Sequence, residues 1–137
     1  MKPQELQTIL VVEDERDIRK IVRISLEEIG GFNVETCCSG MEALEKLQQQ
    51  KPDLVVMDVM MPNLDGPATL DKIRQIPSLE DLPIIFITAK VQPHEVKTYL
   101  ALGILGVISK PFNPLKLPDQ IRQLWQSPEL VQSGLLR

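Results

Sequence analysis

Four short, almost wholly aliphatic runs punctuate this chain: Thr8–Val12, Leu54–Met57, Ile84–Thr88 and Val107–Ser109. Runs of this length suit strands buried on both faces, as in a parallel sheet covered by helices. A fifth stretch, Asn33–Cys38, alternates more and reads as an edge strand.

The segments between them change to a helical period. Ile18, Ile21, Val22, Ser25, Leu26 and Ile29 recur at steps of three and four, while Arg16, Arg19, Lys20 and Arg23 take other faces. Gly30 and Gly31 stop that helix. A second helix runs from Gly40 to about Gln49 with Ala43, Leu44 and Leu47 inward, and Lys51 and Pro52 end it. Asp65, Gly66 and Pro67 open a third, which carries Leu70, Ile73 and Arg74 and closes near Pro77. A fourth begins around Pro93, with Val96, Leu100 and Ala101 on its buried side and Gly103 after it. Asn113 and Pro114 supply an N-cap and first-turn pair for a fifth. Pro118 has no N–H to give that helix's first full turn, which predicts a late or distorted start.

Strands and helices alternating five times predict an α/β fold, a (βα)5 doubly wound parallel sheet in a single domain. Right-handed crossovers leave few topologies. The flavodoxin-like order 2-1-3-4-5 sets the first and third strands side by side, with a crevice at their carboxyl ends. Residues 1–126 make up this domain, and 127–137 a short tail.

Composition narrows the function. At 137 residues, 43% hydrophobic and 25% charged, the chain is long enough to bury a core without staples. A net charge of -4 offers no basic face for a phosphate backbone, so direct nucleic acid binding is not expected. Cys37 and Cys38 are neighbours, which disfavours an unstrained disulfide and suits a reducing compartment. Ile9–Val12 is too short for a signal-peptide core, and no run reaches membrane-spanning length. The expectation is a cytoplasmic protein with no membrane association.

The candidate chemistry lies at the strand ends. The first run ends in Glu13 and Asp14, and the second in Asp58. On adjacent parallel strands, three carboxylates would converge at one sheet edge. Each like-charge pair at ~4 Å costs about 4 kcal/mol at an effective dielectric near 20, so the cluster calls for a cation. A hard, oxygen-seeking ion such as Mg2+ fits, keeping waters and room for a phosphoryl oxygen. Thr88 and Lys110 end the fourth and fifth strands and add a hydroxyl and an ammonium to the same edge. A carboxylate nucleophile, a metal site, a hydroxyl and a lysine together supply what phosphoryl transfer to an aspartate requires.

With these residues in place the sequence resembles the receiver domains of two-component response regulators. The matching pieces are Val11-Val12-Glu13-Asp14, Asp58-Val59-Met60-Met61-Pro62 followed by Asp65-Gly66, Ile87-Thr88-Ala89, and Lys110-Pro111-Phe112. The resemblance covers roughly residues 6–126. It implies that Asp58 is phosphorylated by a histidine kinase or histidine phosphotransfer protein. It further implies that Glu13, Asp14, Asp58 and the Met60 backbone carbonyl hold Mg2+, that Thr88 and Lys110 bind the phosphoryl group, and that the Lys110-Pro111 bond is cis.

Two departures stand out. Receivers commonly carry Tyr or Phe three residues before the lysine, and here that position is Val107. The stretch from Gly103 to Val107 is also unusually apolar. Ile104 and Leu105 are therefore expected to form an exposed apolar patch on the face of helix four, strand five and helix five, serving a homodimer or partner docking.

The leading expectation is a stand-alone phospho-accepting module that switches a surface for a downstream protein effector. It would catalyse only its own phosphorylation and dephosphorylation and is not an enzyme acting on outside substrates. A phosphorylation-independent adaptor is one alternative. A metal-dependent phosphatase with an aspartyl nucleophile is another, although it would need a further acid-base carboxylate and a cap insertion.

Overall fold

The structure is a computed structural model that describes residues 5–126. The expected tail, residues 127–137, lies outside the described residues. Five parallel strands, β1 (Thr8–Val12), β2 (Asn33–Cys37), β3 (Leu54–Asp58), β4 (Ile84–Thr88) and β5 (Gly106–Ser109), form one sheet in the order 2-1-3-4-5. Between and after them come α1 (Arg16–Ile24), α2 (Gly40–Gln49), α3 (Gly66–Arg74), α4 (Pro93–Leu100) and α5 (Leu117–Gln126). This is the doubly wound, flavodoxin-like architecture that the alternating pattern predicts.

The period of two along each strand divides the core between the sheet's faces. Leu10, Val12, Val55, Met57, Ile84, Phe86 and Val107 belong to one buried cluster, with Ala43, Leu47, Leu70, Ile73 and Val96 from α2, α3 and α4. Ile9, Val11, Leu54, Val56, Ile85, Ile87 and Ile108 belong to the other, with Val22 of α1 and Leu117, Ile121, Leu124 and Trp125 of α5. β3 and β4 are buried along their whole length, while β2 alternates and closes one edge.

Helix boundaries follow local chemistry. Ser39 caps α2 by accepting Glu42 N–H at 3.1 Å, and Asp65 caps α3 by accepting Ala68 N–H at 2.9 Å. Asn113 Oδ1 takes Leu115 N–H at 2.9 Å, and α5 starts at Leu117, the late start that Pro118 imposes. The Lys110-Pro111 bond is cis.

Several expected positions move. α1 passes into a π-helical turn, Ser25–Ile29. Val22, Ser25 and Leu26 face inward, but Ile21 and Ile29 stand 44% and 48% exposed. The apolar stripe is wider than the surface that covers it, and the wider turn rotates its far end away. Ala101, expected on the buried side of the fourth helix, is exposed, because α4 ends one residue earlier. Ile104 is buried and Leu105 is half-buried against the α1 and α5 side, so they do not make an exposed apolar patch. Gly103 explains this: its φ of 84° turns the chain sharply back under α4 and delivers Ile104 to the core. Among the described residues no helix is long and apolar enough to cross a membrane.

Candidate functional site

Strand register builds the site. Val12 pairs with Met57, Asp58 with Ile87, and Thr88 with Ser109. Each step across the sheet reaches one residue further, so Glu13, Asp14, Asp58, Thr88 and Lys110 share the carboxyl edge. A clamp at the opposite edge fixes the β1–β3 pairing. The Asp53 carboxylate accepts the N–H groups of Gln7 and Thr8, each at 3.0 Å, and the Thr8 hydroxyl accepts Asp53 N–H at 2.8 Å. A slip of one residue would turn every side chain to the wrong face.

Carboxylate oxygens of Glu13, Asp14 and Asp58 lie within 4.8 Å of one another. Glu13 and Asp58 are buried, and Asp14 Oδ1 is buried without a hydrogen-bond partner among the described residues. Lys110 Nζ stands 3.1 Å from Glu13 Oε1 and 3.3 Å from Asp58 Oδ1. Among the described residues, one ammonium thus serves two acids and leaves the third without a counter-ion. An orphaned carboxylate oxygen beside two others is a donor set suited to a hard divalent cation. Glu13, Asp14 and Asp58 are the residues that could hold it.

Burial dominates the local electrostatics. It raises the Glu13 pKa to about 7, helped by the Asp58 charge and opposed by Glu15 N–H and by Lys110. Asp58 is likewise pushed upward by burial, against the pull of Lys110 and Met60 N–H. Burial works to lower the Lys110 pKa, but its bonds to Glu13 and Asp58 outweigh that and hold it above the usual range.

The loop after β3 is tied to Asp58, since Met60 N–H donates to Asp58 Oδ1 at 3.3 Å and Gly66 N–H to Val59 O at 2.9 Å. The Met60 side chain is exposed. Thr88 is fully buried, and its hydroxyl accepts Lys90 N–H at 3.0 Å. Tyr99 of α4 packs edge-on to Phe86, two residues before Thr88, with ring centroids 5.6 Å apart.

The sequence pattern missed one participant. Arg19, assigned to an outward face of the first helix, curls back and donates to Glu13 O at 2.9 Å and Asp14 O at 3.4 Å, holding the acid pair's backbone. Its place on the first turn behind two acids was the available signal.

The family model for the response regulator receiver domain matches residues 9–122. The chain belongs to the response regulator receiver domain family. As a receiver it is 31% identical to the chemotaxis response regulator CheY4 of Vibrio cholerae, with a TM-score of 0.80 over 88% of this chain and 99% of that one. It is 35% identical to the response regulator Rre1 of Synechocystis sp. over 85% of this chain and 51% of that protein. It is 36% identical to the alkaline phosphatase synthesis transcriptional regulatory protein PhoP of Bacillus subtilis over 90% of this chain and 50% of that protein. The receiver spans about half the length of these curated relatives. Receivers are signalling domains in phosphorylation-based relays, rather than enzymes with an outside substrate.

Proposed function

We propose that Asp58 accepts a phosphoryl group from the phosphohistidine of a histidine kinase or histidine phosphotransfer protein. Glu13, Asp14, Asp58 and the Met60 backbone carbonyl would hold Mg2+. The observation that carries this reading is the Lys110 ammonium bridging Glu13 and Asp58 beside the orphaned Asp14 oxygen. An Asp58 carboxylate oxygen attacks phosphorus, a P–O bond forms, the P–N bond to imidazole breaks, and the leaving nitrogen keeps that electron pair. Lys110 and the Thr88 hydroxyl bind the transferred oxygens. When bound, Mg2+ supplies the positive charge that offsets the crowded carboxylates and the phosphoryl oxygens.

The donor protein needs a surface beside Asp58. An apolar groove lined by Ile18, Ile21, Phe112 and Pro114 borders Lys110, and it gives the exposed Ile21 a purpose. Kinases charged by ATP place this exchange in the cytoplasm. Output runs through a downstream protein effector that reads a switched surface. A stand-alone role is supported by the near end-to-end match with the CheY4 chain. The longer relatives named as transcriptional regulators support instead a receiver joined to an output domain, where any DNA contact would lie outside the matched half.

Acetyl phosphate with Mg2+ should add a single phosphate by intact-mass measurement, and Asp58→Asn should take none. Phosphotransfer profiling against purified histidine kinases then identifies the donor. A folded wild-type protein that stays unmodified under both conditions would remove the reading.

A further inference from the structure

β1 ends at Val12, yet the main chain stays tied to the sheet for one residue more, because Glu13 N–H donates to Cys37 O at 3.1 Å. Asp14 and Glu15 then form a short loop before α1 begins at Arg16. Like charges crowded at its start push such a loop open. Glu13 resists through its side chain, whose Oε2 accepts Glu15 N–H at 3.1 Å while Oε1 meets Lys110 Nζ at 3.1 Å. Asp14 has no such anchor at Oδ1, which is buried and unpartnered among the described residues. Glu15, at the N-cap of α1, makes no side-chain capping bond to the helix either.

The restraint comes from Arg19. Its backbone N–H donates to Glu15 O at 2.9 Å, so it stands on the first closed turn of α1. Side chains of a helix lean toward its N-terminus, and this carries the half-buried guanidinium back over the loop. There Nη1 donates to Glu13 O at 2.9 Å and to Asp14 O at 3.4 Å. One nitrogen thus bridges two main-chain carbonyls, and bonds from a charged donor are roughly twice as strong as neutral ones. The choice of acceptor matters. A guanidinium paired with the Asp14 carboxylate would occupy the oxygen that a cation needs, whereas one bonded to carbonyls leaves that oxygen free.

We propose that Arg19 is a positioning residue of the cation site, fixing the main chain of Glu13 and Asp14 so that their carboxylates suit a small ion such as Mg2+. The inference rests on the reading of Glu13, Asp14 and Asp58 as cation ligands. Mg2+ demands near-ideal octahedral geometry, whereas Ca2+ accepts a wider and less regular shell. Loosening the loop therefore penalises Mg2+ more than Ca2+. Charge alone predicts the opposite sign, since deleting a nearby positive group would tighten the hold on either ion.

Melting temperature followed against Mg2+ or Ca2+ concentration separates these effects, because the chelated protein reports stability and the rise with added ion reports affinity. Arg19→Met removes the charge and both bonds. Its Mg2+ affinity should be about 10-fold below that of the wild type, the low end of the range for partners that orient metal ligands, and its Ca2+ affinity should fall less. Arg19→Gln is also neutral, with a shorter reach, and should weaken Mg2+ binding in the same direction if the methionine variant does not fold. Equal or tighter Mg2+ binding by the folded variant would overturn the proposal alone, as would an equal loss for the two ions. A wild type that does not respond to Mg2+ would overturn the cation-site reading and the proposal with it.

Discussion

The Lys110 ammonium lies 3.3 Å from Asp58 Oδ1, and this contact ties the last residue of β5's extension to the last residue of β3. The two strands are not neighbours, since β4 lies between them. The lysine therefore spans the crevice, and it reaches Glu13 on the far side as well.

Removing that charge should destabilise the metal-free protein. Breaking one partner of a buried pair costs about 3–5 kcal/mol, and the partial exposure of Lys110 reduces this to about 1–3 kcal/mol for Lys110→Met. Urea unfolding in EDTA at neutral pH measures it. The pH dependence has a definite sign. The folded Glu13 pKa, about 7, lies above its ordinary 4.5, so its contribution is fully present below 4.5 and is lost as pH rises through 7. Without the ammonium that loss deepens, and the gap between variant and wild type should widen from pH 5 to pH 8.

Asp14→Asn should act in the opposite direction. It removes one of three converging negative charges, which should stabilise the metal-free protein by about 1–2 kcal/mol, a fraction of the unscreened repulsion. The same change removes one of the proposed cation ligands. Mg2+ should raise the melting temperature of the wild type and leave that of Asp14→Asn nearly unchanged. An equal Mg2+ response in both proteins would show that Asp14 holds no metal.

Gly66 makes the loop behind Asp58 intolerant of a side chain. A Cβ there would stand 2.9 Å from both Asp58 O and Val59 Cα, which are backbone atoms with little room to yield. Gly66→Ala should cost about 1–3 kcal/mol by urea denaturation. It should also slow acetyl phosphate labelling of Asp58, because the displaced backbone carries the carboxylate proposed to accept the phosphoryl group. Labelling at the wild-type rate would show that the loop accommodates the methyl group without moving Asp58.

Much of this was legible along the chain, for physical reasons that also mark the limit. β3 and β4 are buried on both faces, so their sequences are nearly unbroken aliphatic runs, and the residue that ends or follows each run falls at the sheet edge. Glu13, Asp58, Thr88 and Lys110 could be placed by that rule alone. Ile104 and Ile21 could not. The first depends on one glycine with positive φ, and the second on how much of a helix face its neighbours cover. Arg19 acts through the tip of a long side chain, whose direction the period of a helix does not encode.

The adjacent cysteines should differ sharply in reactivity. Cys37 is buried, and burial together with the Glu42 charge raises its pKa to about 12. Cys38 is exposed, and its pKa is raised chiefly by its hydrogen bond to Glu42 Oε1 at 3.3 Å. Iodoacetamide should therefore modify Cys38 alone in the folded protein. Glu42→Gln keeps an acceptor for Cys38 N–H but removes the charge, so the thiolate should form at lower pH. Alkylation at pH 8 should quicken by roughly threefold for each half unit that the pKa falls. Cys37 carries the stability consequence. Its folded pKa lies above the ordinary 9.0, so its contribution holds below 9 and is lost as pH climbs toward 12. Cys37→Ala should then lose less stability than the wild type between pH 9 and 11, and parallel slopes for the two proteins would contradict the assignment of that loss to the buried thiol.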